Sequence, residues 1–510
     1  MSKIVFLIKN TSWFFGANIV GGVLSIALLP LYTSYLSPAD YGIIAICLMT
    51  ANIISCFSTA GLEYFCNRVS YRFRDKKAHL SILLGNIYGF TFILILFTSL
   101  VISFFPNFIH HYFFNDSEIP SIIVIFVPIW LAFFQRIIRI TTRYLTVTQK
   151  GQEYFVLNSS QAFAAHILKV IALVLLQAGV IGFLIAELVT QFMLAAVSVW
   201  LLTRYVKPKV NFKIKRIVKI GFSYGIPFIP QTLGTWMMQY VDRIILLRLV
   251  DMSSVGLYSF ALGVSSRIYE MFWSAIERGV FPEVMVRMDN KKEYPESEKY
   301  AIEYLYTYFT FASLMGLAFS LFAKEILYIL ANERFRQAYV IIPFFILMLM
   351  FQNGRSIFSL PVELKFKTWF YPFNTFFGAI LNVILNLFLI PLFGIIGAAL
   401  ASAITSFIIM LTTLFFSQRQ IYIRYNYIIA SLPIMGSTIM FLPKLFFEYS
   451  LLWSICVSLF LMMIALFLST IYLMNYCPTV WKVICTAYHR LLMSIVAFYE
   501  RKRTIIKVDE

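Results

Sequence analysis

The sequence predicts an all-α integral membrane protein of about 14 transmembrane helices, and three observations carry that prediction. Of the 510 residues, 60% are hydrophobic and only 13% are charged, whereas a soluble domain is nearer half apolar and a quarter charged. The apolar residues form continuous runs of about 18 or more positions, not the alternating pattern of a transmembrane barrel. Basic residues gather in alternate connections between those runs, as the positive-inside rule requires.

Taken in order, the first six runs lie near 12–36, 41–63, 80–105, 119–140, 154–176 and 180–203. Lys3 and Lys9 precede the first of them, which is too long for the apolar core of a secretory signal and lacks a small-residue cleavage site, so it reads as a helix that stays. A second six follow near 221–249, 254–278, 303–323, 338–361, 370–392 and 395–416, and two more near 427–446 and 451–475. One side of the membrane receives Arg68, Arg72, Arg74, Lys76 and Lys77, a cluster running from Arg204 to Lys219, and a tail with Arg501, Lys502, Arg503 and Lys507. The other side receives few: Lys324, Arg334, Arg336 and Lys444, with Arg248 near a helix end. Both termini are therefore expected in the cytoplasm, and an even number of crossings follows. The longest external connections, Pro106 to Glu118 and Lys324 to Gln337, leave no room for a folded domain.

The net charge of +18 is accounted for by this topology, so nucleic acid is not expected as a partner. Six cysteines without a CxxC pair and five scattered histidines offer no disulfide framework or metal site. No GxxxxGK[ST] or HExxH motif occurs and no Ser/His/Asp arrangement stands out, which removes an ATP-driven pump of its own and leaves no evident hydrolytic centre. A transporter is expected, not an enzyme, and no cofactor. The 18% aromatic content fits interfacial belts, with stacking on sugar rings as the alternative.

An internal repeat organises the chain. A slide of 214 residues places Tyr35-Leu36-Ser37-Pro38-Ala39-Asp40-Tyr41-Gly42-Ile43 over Leu249-Val250-Asp251-Met252-Ser253-Ser254-Val255-Gly256-Leu257. A slide of 215 places Gln177-Ala178-Gly179-Val180-Ile181-Gly182 over Leu392-Phe393-Gly394-Ile395-Ile396-Gly397, and Phe134-Gln135 meets Phe351-Gln352 at 217. Six crossings return the chain to the side it started from, so the copies are parallel repeats. Two such halves around a polar site is the plan of a rocking transporter. The expected division is an N-terminal lobe over 1–203, a basic cytoplasmic linker over 204–220, a C-terminal lobe over 221–416, two additional helices over 417–480 and a basic tail over 481–510.

Pro30-Leu31-Tyr32-Thr33-Ser34-Tyr35-Leu36-Ser37-Pro38-Ala39-Asp40-Tyr41-Gly42 resembles the opening of the bacterial polysaccharide and O-antigen flippases, the polysaccharide transporter branch of the multidrug/oligosaccharidyl-lipid/polysaccharide exporter superfamily. Tyr224-Gly225-Ile226-Pro227-Phe228-Ile229-Pro230, Asp242-Arg243, Val255-Gly256-Leu257-Tyr258, and the stretch from Asn382 through Ala399 are similar to that family as well, over roughly residues 10–420. The resemblance implies a flippase of the bacterial cytoplasmic (inner) membrane that moves a polyprenyl-diphosphate-linked oligosaccharide, such as an O-antigen or capsule unit of surface polysaccharide or lipopolysaccharide biosynthesis, by alternating access. It implies membrane lipids and polysaccharide polymerase machinery as partners; in related lipid II flippases an extra helix pair lines a groove for the lipid tail, and the resemblance allows that role for the last two helices without showing it. The alternatives are a cation-coupled multidrug antiporter of the same superfamily and an integral-membrane glycan polymerase or glycosyltransferase. Acidic cavity groups would mark the first, and a large external loop with catalytic carboxylates the second.

Charges within the spans are the candidate site, because each costs about 2.5–3.5 kcal/mol at a helix centre on insertion scales. Lys169, Arg267, Arg355 and Arg139 are candidates to bind an anionic diphosphate head group, a task suited to paired N–H donors. The plainer readings are that Arg267 and Glu270 neutralise each other three residues apart on one helix face and that Arg139 and Arg355 snorkel to the surface. Glu187 and Asp242 are candidates for ion coupling, by H+ or Na+. Asp242 and Arg243, as helix neighbours, are expected to point apart and to find separate partners.

Overall fold

The computed structural model describes residues 19–59, 121–205, 229–289, 294–365, 369–446 and 451–478, with single positions at 13, 16 and 17, between 82 and 104, and at 223, 367, 480–482 and 485. All but two residues of the predicted linker 204–220, most of the predicted tail 481–510, the basic cluster Arg68 to Lys77, the connection Pro106 to Glu118 and the Tyr224 to Phe228 stretch lie outside the described residues. The third predicted span, 80–105, is described only at scattered positions, nearly all of them helical.

The described residues are helical, without a strand, and seven helices among them are long and apolar enough to cross a membrane. In chain order they include α1 (Leu29–Tyr35), α2 (Pro38–Thr59), α3 (Ser121–Val147), α4 (Gly151–Val170), α5 (Gly179–Tyr205), α6 (Ile229–Leu249), α7 (Met252–Asp289), α8 (Tyr294–Leu321), α9 (Ile342–Phe358), α10 (Phe370–Gln420), α11 (Tyr427–Phe446) and α12 (Leu451–Tyr476). The 51 residues of α10 would extend about 76 Å as one straight helix, more than twice the ~30 Å hydrocarbon core. Its backbone breaks accordingly at Gly394, with φ 57° and ψ −129°, which restores the two predicted spans. The predicted external connection from Lys324 to Gln337 is instead mostly helical: Ala323–Leu330 and Glu333–Arg336 are short helices, the second capped by Asn332. Polar backbone groups at the membrane boundary are satisfied within such turns.

Two compact units divide the chain. The first contains Met1–Ala275, Ala323–Gln352 and Lys367–Thr413, and the second contains Ile276–Phe322, Asn353–Phe366 and Leu414–Glu510. Within the first, α3, α4 and α5 pack around Ile138, Leu145, Leu157, Leu194 and Leu202. The indole of Trp236 on α6 donates to the Met49 carbonyl of α2 at 3.3 Å, joining helices of the two repeats. Within the second, α8 packs against α11 and α12, with Leu317, Leu321 and Ala465 at one core. Outward from it, α12 exposes Trp453, Phe460, Met463 and Phe467, the apolar face a bilayer solvates.

The repeat is a fact of backbone geometry. Gly179 and Gly394, superposed by the slide of 215, both adopt positive φ, at 55° and 57°, a region in which a side chain is disfavoured. At the slide of 214, Ser37 and Asp251 each cap a helix. Ser37 exchanges hydrogen bonds with Asp40, whose Oδ2 accepts from the Ser37 N–H at 2.8 Å, and Asp251 accepts from the Ser254 N–H at 2.6 Å. The two helix starts meet each other. A Cβ on Gly42 would collide with the Met252 carbonyl, and a Cβ on Gly256 would collide with the Pro38 carbonyl and lie 2.9 Å from the Gly42 nitrogen. Pro38 stands to Met252 as Gly42 stands to Gly256, so the contact is reciprocal about a pseudo-two-fold axis, as in an isologous interface. Small residues permit this approach of backbone to backbone.

Replacing Gly256 by Ala is expected to cost about 1–3 kcal/mol through overpacking. Gly263→Ala, where an added methyl meets open space, should stabilise slightly or change nothing. Thermal unfolding of the purified variants measures both, and equal midpoints for the two would contradict the close crossing.

Candidate functional site

Lys169 sits in the last turn of α4, just before a π-helical turn over Ile171–Leu175. Its Nζ lies 2.6 Å from Glu187 Oε2 on α5, and the two side chains are 13% and 14% exposed. The Gln191 amide donates to Glu187 Oε1 at 2.8 Å from one turn further along, and the Lys169 ammonium stands 4.6 Å from the centre of the Phe183 ring. A predicted head-group cation and a predicted coupling carboxylate thus form one ion pair. One turn before Lys169, at i−3, His166 is hydrogen-bonded through Nδ1 to the Tyr32 hydroxyl at 2.7 Å and through Nε2 to Ser25 Oγ at 3.2 Å. Tyr32 also stacks on the imidazole.

Arg267 reaches the same neighbourhood from the second repeat. It lies fifteen residues into α7, about 22 Å along the helix, and is exposed. It stands within electrostatic reach of Tyr32, Tyr41, His166 and Glu270. Its surroundings therefore include groups from α1, α2 and α4 as well as its own helix. Arg267 makes no ion pair or hydrogen bond to a described residue, Glu270 included. Among the candidate cations, Lys169 and Arg267 are brought together, one engaged and one open.

Asp242 belongs to a separate buried network. The Tyr258 hydroxyl donates to its Oδ2. Its Oδ1 accepts from the Arg243 backbone N–H at 2.8 Å and from Arg243 Nη1 at 3.3 Å. The expectation that these helix neighbours point apart is therefore corrected. The guanidinium folds back along α6, where it also donates to the Gln239 carbonyl, and its Nε donates to Ser259 Oγ on α7 at 3.1 Å. Sequence spacing describes where Cβ atoms point, and a long arginine overrides it. From Tyr258 the network continues to Ser402 at 3.2 Å and on to Asn382, Thr405 and Asn386 of α10. Asn386 Oδ1 is buried and has no partner among the described residues.

Arg139 is exposed on α3, near Tyr240. Arg355 is half-buried in the last turn of α9 and belongs to the second compact unit. Sequence reading passed over Arg136, which is buried and donates to the Ser55 carbonyl at 3.1 Å, and over His166, weighed only as a metal ligand. Its place one turn from Lys169 on the same helix face was the available signal.

Three comparisons bear on this geometry. The family described as polysaccharide biosynthesis protein matches residues 33–340. A membrane protein of Methanocaldococcus jannaschii is 25% identical over 214 residues, which is 42% of this chain and 42% of that relative's length. Among solved structures, the lipid II flippase MurJ in an inward closed conformation is similar with a TM-score of 0.70 at 17% identity, over 92% of this chain and 99% of that one. An inward-facing multidrug resistance MATE family transporter of the MOP superfamily is similar with a TM-score of 0.57 at 13% identity, over 79% of this chain and 94% of that one. These structural likenesses establish the fold: a multi-pass helical membrane protein built as those transporters are.

Tyr258→Phe leaves the buried Asp242 carboxylate one donor short, and should cost about 1–3 kcal/mol of stability. Thr142→Ala, which removes an exposed hydroxyl bonded to its own helix, should stay within about 0.5 kcal/mol. Unfolding midpoints compare the two; a silent Tyr258→Phe would show that Asp242 does not depend on this donor.

Proposed function

We propose, for a chain that belongs to the polysaccharide biosynthesis protein family, the task of moving a polyprenyl-diphosphate-linked oligosaccharide from the cytoplasmic to the outer leaflet of the bacterial inner membrane. The carrying observation is Arg267: an exposed cation fifteen residues into α7, within electrostatic reach of groups on α1, α2 and α4, and without an ion pair to a described residue. A charge so placed is retained in a membrane protein for an incoming partner, and a guanidinium matches phosphate oxygens with two parallel hydrogen bonds. Lys169 supplies a second positive charge beside it. The carrier's diphosphate would rest on these cations while the glycan passes through a central cavity opened by the rocking and the lipid tail stays in the bilayer beside it.

Alternating access follows from the repeat. The reciprocal contact at Gly42 and Gly256 closes one end of the two halves upon each other, and rocking about the pseudo-two-fold axis would part it. Asp242 carries the proposed coupling role for H+ or Na+, since it is a buried carboxylate in a network that ends on an unpartnered amide oxygen. Export of organic cations is the weaker reading, because Arg267 would repel such a substrate.

Deleting the gene should leave the lipid-linked glycan on the cytoplasmic leaflet, where leaflet-specific labelling detects it; accumulation on the outer leaflet would instead indicate a polymerase. Arg267→Ala and Lys169→Ala should each abolish export while the protein remains inserted, with Arg267→Lys retaining part of it. Normal export in both alanine variants would remove these residues from the substrate path.

A further inference from the structure

Lys169 and Arg267 approach one polar neighbourhood from opposite repeats, and their electrostatic situations differ. Arg267 has no described counter-ion, whereas Lys169 is already held by a carboxylate at 2.6 Å. The two members of that pair are not equally free. Glu187 is anchored from its other side by Gln191, four residues on along the same helix, whereas the ammonium ends a flexible four-carbon stem. When the pair opens, it is the lysine that moves. The remaining polar or titratable groups around the carboxylate do not replace it as a cation. His166 has both ring nitrogens engaged by Tyr32 and Ser25, Cys47 of α2 is within electrostatic reach as a buried thiol, and Arg267 makes no ion pair with Glu187.

A carboxylate oxygen bound to Lys169 occupies the position a phosphate oxygen needs in order to bind there. We infer that Glu187 is an internal anion that competes with the substrate's diphosphate for Lys169 and, by reclaiming the lysine, drives the head group off after translocation. This rests on the head-group reading above and adds the release step to it. When Lys169 turns to the substrate, Glu187 is left facing Gln191 in a largely buried site, a state that costs free energy. That cost is recovered when the substrate leaves. Tight and uniform binding without such a competitor would hold the head group and slow turnover.

Purified protein tests the inference with inorganic pyrophosphate as probe, and reconstituted vesicles test it with a fluorescent polyprenyl-diphosphate monosaccharide. Glu187→Gln should bind pyrophosphate about tenfold tighter than the unaltered protein, within the usual range of coupling between sites. In vesicles it should lower KM and kcat together, a split that a merely structural role would not produce. Glu187→Asp, which keeps the charge but withdraws it by one methylene, should fall between, and serves if the glutamine variant does not fold. Unchanged or weaker pyrophosphate binding in both variants would overturn the inference. Arg267→Ala, measured alongside, separates the two claims. If it loses binding while the Glu187 variants change nothing, only the competitor role fails; if the unaltered protein binds no pyrophosphate, the head-group reading fails and this inference with it.

Discussion

Without water in the hydrocarbon core, every charge carried into it has to find a partner in the protein or face a hollow, and the arrangement of this chain follows from how each charge meets that demand. Glu187 meets it through Lys169 and Gln191. Asp242 meets it through Tyr258 and Arg243. Arg267 does not meet it within the described residues, and is exposed where helices of both repeats surround it. Side-chain hydrogen bonds between membrane helices are individually modest, near 0.6 kcal/mol on average. The networks therefore act less as a store of stability than as a constraint on which helices can be neighbours.

The second constraint is steric. At Gly42 and Gly256 the starts of α2 and α7 approach so closely that each glycine faces the other repeat's carbonyl. The Ser37 and Asp251 caps terminate these helices immediately before the contact, so that their first N–H groups are satisfied without filling the space. Packing and capping together make this crossing a well-defined joint between halves, and a joint is what a rocking mechanism needs. The setting of Arg267 among helices of both repeats and the joint at the helix starts are thus two consequences of one duplicated six-helix plan.

Much of this was legible in the sequence because it is local or periodic. Apolar runs longer than the bilayer is thick declare themselves, and a glycine that turns a corner does so in both copies, which is why Gly179 and Gly394 align with matching φ. The contacts that define the site were not legible. Lys169 and Glu187 lie on successive helices, and nothing in either helix's own pattern states which faces meet. Arg243 folds back onto Asp242 because side-chain length, and not Cβ direction, decides that contact. The fate of His166 was set by Tyr32 and Ser25, far earlier in the chain. In each case the missing information was tertiary packing, on which propensity and spacing are silent.

The central claim is that an unpaired arginine between two repeats receives a diphosphate. Determining the structure of the protein with a short-chain polyprenyl diphosphate bound tests it most directly. The account predicts density for the two phosphates within hydrogen-bonding distance of the Arg267 guanidinium, in the space faced by α1, α2 and α4. Density only on the outer, lipid-facing surface of the helices, with Arg267 turned to a protein carboxylate, would contradict it.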